Sequence, residues 1–140
     1  ALQCFYNKDF RLFPRGASAP ISWASQIWMV LAGVVEGDEA RRLLLRPEKF
    51  PDAVHIVTPY LYHFYIQALY TVGLEEKALE KIKAYWGGMI AQGADTFWEL
   101  YDPADPAASP YGGTIVNSYC HAWSCTPAYF LRKYKDPGNV

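Results

Sequence analysis

The sequence predicts an all-α fold, a partial (α/α)6 toroid built of antiparallel helical hairpins with about five helices. Three observations predict it. Helix-length stretches that are apolar all round alternate along the chain with stretches that are amphipathic, the order expected when inner and outer helices take turns. The turns between them are short, which makes consecutive helices antiparallel neighbours. Five helices are too few to close a ring of six hairpins, so 140 residues read as slightly less than half of one. The chain is taken as a single partial domain over 1–140, with an irregular lead-in over 1–20.

Each element follows from local chemistry. In the lead-in, "FYNKDFRLF" places aromatic flanks around an Asn-Lys-Asp turn, and "PRGASAP" is a loop by composition. "SWASQIWMVLAGVV" opens on Ser22 as an N-cap and is apolar on nearly every side, the mark of a buried helix. "GDEARRLLLR" carries acids first and arginines last, as the helix dipole favours, and its wide polar face puts it outside. "PEKFPDAVHIV" reads as a loop with a short extended piece. Thr58 and Pro59 then give a capping residue followed by proline at the first helical position. The helix they start is apolar on most sides, with His63, Gln67 and Thr71 four apart on one polar stripe, and Gly73 ends it. His63 on that stripe reads as a buried, hydrogen-bonded residue. "LEEKALEKIKAYWGGMIAQG" is amphipathic, with Ala78, Leu79, Ile82, Tyr85, Trp86, Met89 and Ile90 on one face. Residues 93 to 118 form a long connection of the kind that is usually functional or disordered. The last helix starts either at Thr126, with Pro127 behind it, or near Tyr119 with a kink at the proline.

Composition removes several function classes. The net charge is −1 and no Lys/Arg run is present, so nucleic acid is not an expected partner. The longest uncharged apolar stretch, 27–35, is too short to span a bilayer, and no signal-like segment is present. With 3 cysteines and no CxxC pair, neither a disulfide framework nor a zinc site is expected; Cys120, His121 and Cys125 lack metal-ligand spacing. Aromatic residues make up 16%, including 5 Trp and 11 Tyr, side chains that fill cores and also stack on sugars. The chain begins abruptly on "LQCFYNKDF", as a piece of a larger protein would.

The stretch most in need of a chemical reason is "GADTFWELYDP", 93–103, where one carboxylate, Glu99, follows Phe97 and Trp98. Aromatic walls raise the cost of ionising a carboxylate, so Glu99 is either a structural acid capping a turn or a catalytic one. "YWGGMIAQGADTFWELYDP" followed by "SPYGGTIVNSYCHAWSCTPAYFLRKY" resembles the C-terminal half of the catalytic barrel of bacterial α-L-rhamnosidases, glycoside hydrolase family 78. "TPYLYHFYIQALYTVGLEEKALEKIKAYW" resembles the hairpin that precedes it there. The likeness rests on a Trp-Gly helix end, a Gly-Ala-x-Thr-x-Trp-Glu loop and a histidine-containing final helix in combination. It departs from the family at Asp95, where threonine is frequent, and in "NSYCHAWS", where many members have an Asn-His-Tyr form.

The resemblance implies an inverting glycosidase that hydrolyses terminal α-L-rhamnosides by direct water attack. Such chemistry needs two carboxyls about 6.5–9.5 Å apart, one protonating the leaving oxygen and one activating water. Glu99 matches the general base. The family's general acid lies on an acidic loop of the first barrel half, and no acid in this chain matches it. Trp98, His121, Trp123 and Tyr62 are the candidate sugar contacts; for each of them a place in the core competes with that role, most strongly for Trp123 and Tyr62. No cofactor or metal is implied, and the expected ligand is a rhamnose-containing glycoside. A half ring leaves the barrel-facing sides of its inner helices, with Trp23, Trp28, Tyr62, Phe64 and Tyr65, without cover. Self-association or association with the missing barrel half is therefore expected. The reading from another class is a helical scaffold or sugar-binding module without chemistry.

Overall fold

The computed structural model describes residues 5–14, 20–105 and 107–135. The first four residues of the lead-in and the middle of "PRGASAP" lie outside them. Five α-helices are present among the described residues: α1 Trp23–Leu31, α2 Gly37–Leu45, α3 Pro59–Thr71, α4 Glu75–Ala91 and α5 Thr126–Lys135. Strand pairing is limited there to isolated bridges, so the all-α, five-helix expectation is met. The chain divides into two compact units, Ala1–Ile56 with Phe64–Ala78 and Val57–His63 with Leu79–Val140.

In the first unit, α1 starts where expected, but Ser22 occupies the N-cap without a side-chain cap bond. Its carbonyl instead accepts from the Gln26 amide at 2.9 Å. Gln26 is the buried polar residue of this helix. It is fully buried, and its amide exchanges two hydrogen bonds with the backbone of Phe13, at 2.8 and 2.7 Å. A buried amide is tolerated only when so satisfied. The helix stops at Leu31 rather than running to Val35, because Gly33 takes a positive φ of 67° and Val34 N–H turns back to the Met29 carbonyl at 3.0 Å. In α2, Ala40, Leu43 and Leu44 are buried while Asp38 and Glu39 occupy the first turn, as a helix with one wet face requires. The loop "PEKFPDAVHIV" overlaps a 3-10 turn, Arg46–Lys49, and its short extended piece reduces to a parallel bridge between Val54 and Ser22. Trp23 packs edge-on against Tyr65 at 5.3 Å, and both are buried. They were expected on an uncovered face, and the core of this unit covers them instead. Trp28 does remain 44% exposed, its ring 4.6 Å from Phe64.

In the second unit, Thr58 and Pro59 open a helix as predicted, the Thr58 hydroxyl accepting from Leu61 N–H at 3.4 Å. Ile82, Tyr85, Trp86 and Met89 of α4 are buried. Ile90, expected on the same face, is 69% exposed. It lies in the last turn before Ala91, where the helix ends and the chain turns away. Trp86 Nε1–H donates to the Ser124 carbonyl at 2.8 Å and to its hydroxyl at 3.0 Å, fixing the segment that leads into α5. Of the two starts considered for the last helix, the structure has Thr126, preceded by a separate 3-10 turn at Ala122–Ser124. His121 therefore lies ahead of the final helix, not in it. His63 is half-buried with Nδ1 3.1 Å from the Thr126 hydroxyl, as its place on the polar stripe suggested.

Candidate functional site

The candidate site lies wholly within the second unit and begins where α4 ends. Gly93, at φ 94°, lets the chain reverse, and Ala94 N–H closes the helix onto the Met89 carbonyl at 3.0 Å. The segment that follows, "DTFWE", is tied by backbone and side chain to "SYCHAW". Glu99 N–H donates to the Ser118 carbonyl at 2.9 Å, and His121 N–H donates to the Phe97 carbonyl at 2.6 Å. The Thr96 hydroxyl donates to the Tyr119 carbonyl. Trp123 Nε1–H donates to the Glu99 carbonyl at 3.0 Å. Two irregular segments thus hold each other without becoming strands, and the side chains at their junction are fixed by four cross-links.

The Glu99 carboxylate is bonded at both oxygens. Tyr111 donates its hydroxyl to Oε1 at 2.6 Å, and Ser118 N–H donates to Oε2 at 2.9 Å. These bonds, the tyrosine's first and the backbone's second, hold the carboxyl below its ordinary range, with the nearby His121 adding in the same direction. Hydrogen bonding to the charged form outweighs desolvation, which acts the other way. The aromatic neighbours do not raise the carboxyl here: Phe97 is 39% exposed and Glu99 is only half-buried. The same bond raises the Tyr111 phenol.

Aromatic rings surround the junction. Trp98 meets Tyr119 edge-on at 5.4 Å. His121 stacks on Trp123 at 4.1 Å and 23°, and the Tyr60 ring lies 5.7 Å from Trp123. Of the four expected sugar contacts, Trp123 is bonded to the Glu99 carbonyl, His121 stacks on Trp123, and Trp98 precedes Glu99 in the chain with its ring against Tyr119. Tyr62 is placed differently. It stacks on Tyr85 at 3.8 Å, and burial pushes its phenol up to about 12. Tyr111 and Ser118, which fix the carboxylate, were not singled out from the sequence. The available signal was a tyrosine set between Pro110 and Gly112 in an otherwise aperiodic loop.

An ionised, doubly anchored carboxylate can accept a proton from water and still has lone pairs to spare. It is ill-suited to donating one at neutral pH, because the donor form is scarcely populated.

Solved structures resemble this chain over nearly its whole length. A rhamnosidase from Klebsiella oxytoca with rhamnose bound is 52% identical, covering 96% of this chain and 26% of that one, with a TM-score of 0.91. A GH78 family rhamnosidase of Bacillus sp. GL1 is 26% identical, covering 92% of this chain and 14% of that one, with a TM-score of 0.71. No protein-family model and no curated protein matches. The resemblance to family 78 rhamnosidases carried by "GADTFWE" and its flanking helices is borne out, and what this chain resembles is a part of such an enzyme.

Proposed function

We propose that this chain is the general-base-bearing, C-terminal part of the (α/α)6 catalytic barrel of an inverting α-L-rhamnosidase. The longer enzyme would hydrolyse terminal α-L-rhamnosides by direct attack of water. The observation that carries the reading is the Glu99 carboxylate, kept ionised by Tyr111 and Ser118 beside an exposed aromatic group. A depressed pKa suits the base of the pair and not the acid, whose pKa must be raised. In this reading Glu99 takes a proton from the attacking water as its oxygen bonds to the anomeric carbon. The proton for the departing oxygen comes from a carboxyl outside these 140 residues. Trp98 and the His121–Trp123 stack supply flat faces and a ring nitrogen to the sugar; Tyr62 contributes from its place against Tyr85. No cofactor enters.

The test is Glu99→Gln in the longer enzyme. Gln keeps the shape and a hydrogen-bonding oxygen but is no base, so kcat should fall by about 10²–10⁴ while rhamnose binding, read by calorimetry, persists. Turnover near that of the unaltered enzyme would remove Glu99 from the mechanism. The 140-residue chain alone is expected to show no hydrolysis.

A further inference from the structure

The sequence has no run of lysines and arginines, yet folding gathers five cations around one cleft in the first unit. Arg11, Arg42, Arg46, Lys49 and Lys77 line a solvent-open cavity of about 470 Å³ together with Glu39, Glu48 and Leu45. Both carboxylates are already engaged. Glu39 accepts from the Tyr6 hydroxyl at 2.9 Å, from Arg11 at 2.9 Å and from Arg42 at 3.1 Å. Glu48 faces Lys77 at 3.8 Å. Arg46 is anchored by Nε–H to the Phe10 carbonyl, with its guanidinium over the Phe50 ring. That anchoring orients its two terminal nitrogens, which meet no acceptor among the described residues. Lys49 likewise makes no ion pair or hydrogen bond there.

Gathering five like charges costs free energy that two carboxylates offset only in part. The residual field favours an anion of more than one charge, and the arginine fork fits the oxygens of a phosphate group in particular. The volume lies within the range of small-molecule sites, roughly 300–1,000 Å³, and exceeds what a bare phosphate fills. We propose that this cleft binds the dianionic phosphate group of a small molecule, with Arg42, Arg46 and Lys49 as its ligands. The site is separate from Glu99 and does not depend on the rhamnosidase reading.

Isothermal titration of the full 140-residue chain with inorganic phosphate and with glucose 6-phosphate tests this, with glucose as the uncharged control. Saturable binding is expected at low ionic strength, weakening as salt is added. Arg46→Gln and Lys49→Gln should each reduce affinity about tenfold or more, while Lys83→Gln, outside the cleft, should leave it within about twofold. Tighter binding of the ester assigns the site to a phosphorylated metabolite, and equal binding assigns it to free phosphate; both sustain the phosphate chemistry. Arg46→Gln also breaks the bond to Phe10, so Lys49→Gln, which breaks none, decides if the first variant unfolds. Absence of saturation by about 10 mM, equal binding of glucose, or undiminished affinity in Lys49→Gln would overturn the proposal.

Discussion

At Glu99, the shortest hydrogen bond of the carboxylate comes from Tyr111, a residue twelve positions along an irregular loop. That bond is the first cause of the depressed pKa, so Tyr111→Phe should move the Glu99 titration to higher pH. Carbon-detected NMR titration of the carboxyl carbon in this chain reads the shift directly. An unmoved midpoint would mean that Ser118 N–H and His121 account for the depression without the tyrosine. The sign for stability follows from linkage. A carboxylate with a lowered folded pKa stabilises the fold above its unfolded pKa, and that contribution is lost as the pH falls through the folded value. Tyr111→Phe should therefore flatten the acid side of the stability profile. Glu99 itself was legible in the sequence, because a lone carboxylate after two aromatics asks for an explanation. Tyr111 was not, since its meaning depends on a contact across a loop with no periodicity. Whether Phe97 and Trp98 enclose the carboxylate was not legible either, because two adjacent aromatics in sequence do not fix where their rings lie.

Helix α4 shows what its pattern could and could not convey. The run from Ala78 to Met89 announced a buried face through its spacing, and caps at Thr58 and the break at Gly73 announced the helix before it. The adjacent pair Gly87 and Gly88 looked equivalent in sequence and is not. A Cβ on Gly87 would meet nothing within 4 Å, whereas one on Gly88 would come 2.6 Å from the hydroxyl and 2.8 Å from Cε1 of Tyr101. Tyr101 is buried, packed edge-on against Tyr85 at 5.5 Å, and its ring lies 6.5 Å from Trp98. Gly87→Ala should therefore stabilise the chain by about 0.5–1 kcal/mol, the ordinary gain of alanine over glycine within a helix. Gly88→Ala should destabilise it by about 1–3 kcal/mol, because the ring must shift to admit the methyl. Urea unfolding of the two variants separates the effects, and equal midpoints would show that Tyr101 yields at no cost. The start of α5 was the other uncertain boundary. A proline one residue into a helix and a proline kinking a longer helix give the same local sequence, and the choice was made by Trp86, whose indole holds Ser124 outside the helix.

On the scale of the whole chain, the sequence overstated how much aromatic surface would be left bare, because apolar residues on all sides of a helix do not reveal which sides neighbours within the same chain cover. Trp23 and Tyr65 are enclosed, but Trp28 in one unit and Ile90, Ile115 and Val116 in the other stay 44%, 69%, 93% and 55% exposed. Isolated exposed apolar residues are ordinary, whereas side chains this large left in such numbers usually meet a partner. The similar rhamnosidases are several times longer, this chain covering 26% and 14% of them, so in a protein of that kind further chain is available as cover. Purified alone, the chain has only copies of itself to bury the same groups, most simply about a twofold axis. Multi-angle light scattering should then return a mass at or above twice 15.9 kDa at micromolar concentrations, falling on dilution. Replacing Ile115 and Trp28 together with serine should shift that equilibrium toward the monomer if their exposed side chains drive it. A monomeric mass across the whole range, with a sharp cooperative melt, would instead mean that these side chains need no cover and that the chain completes its own fold, against the half-barrel reading.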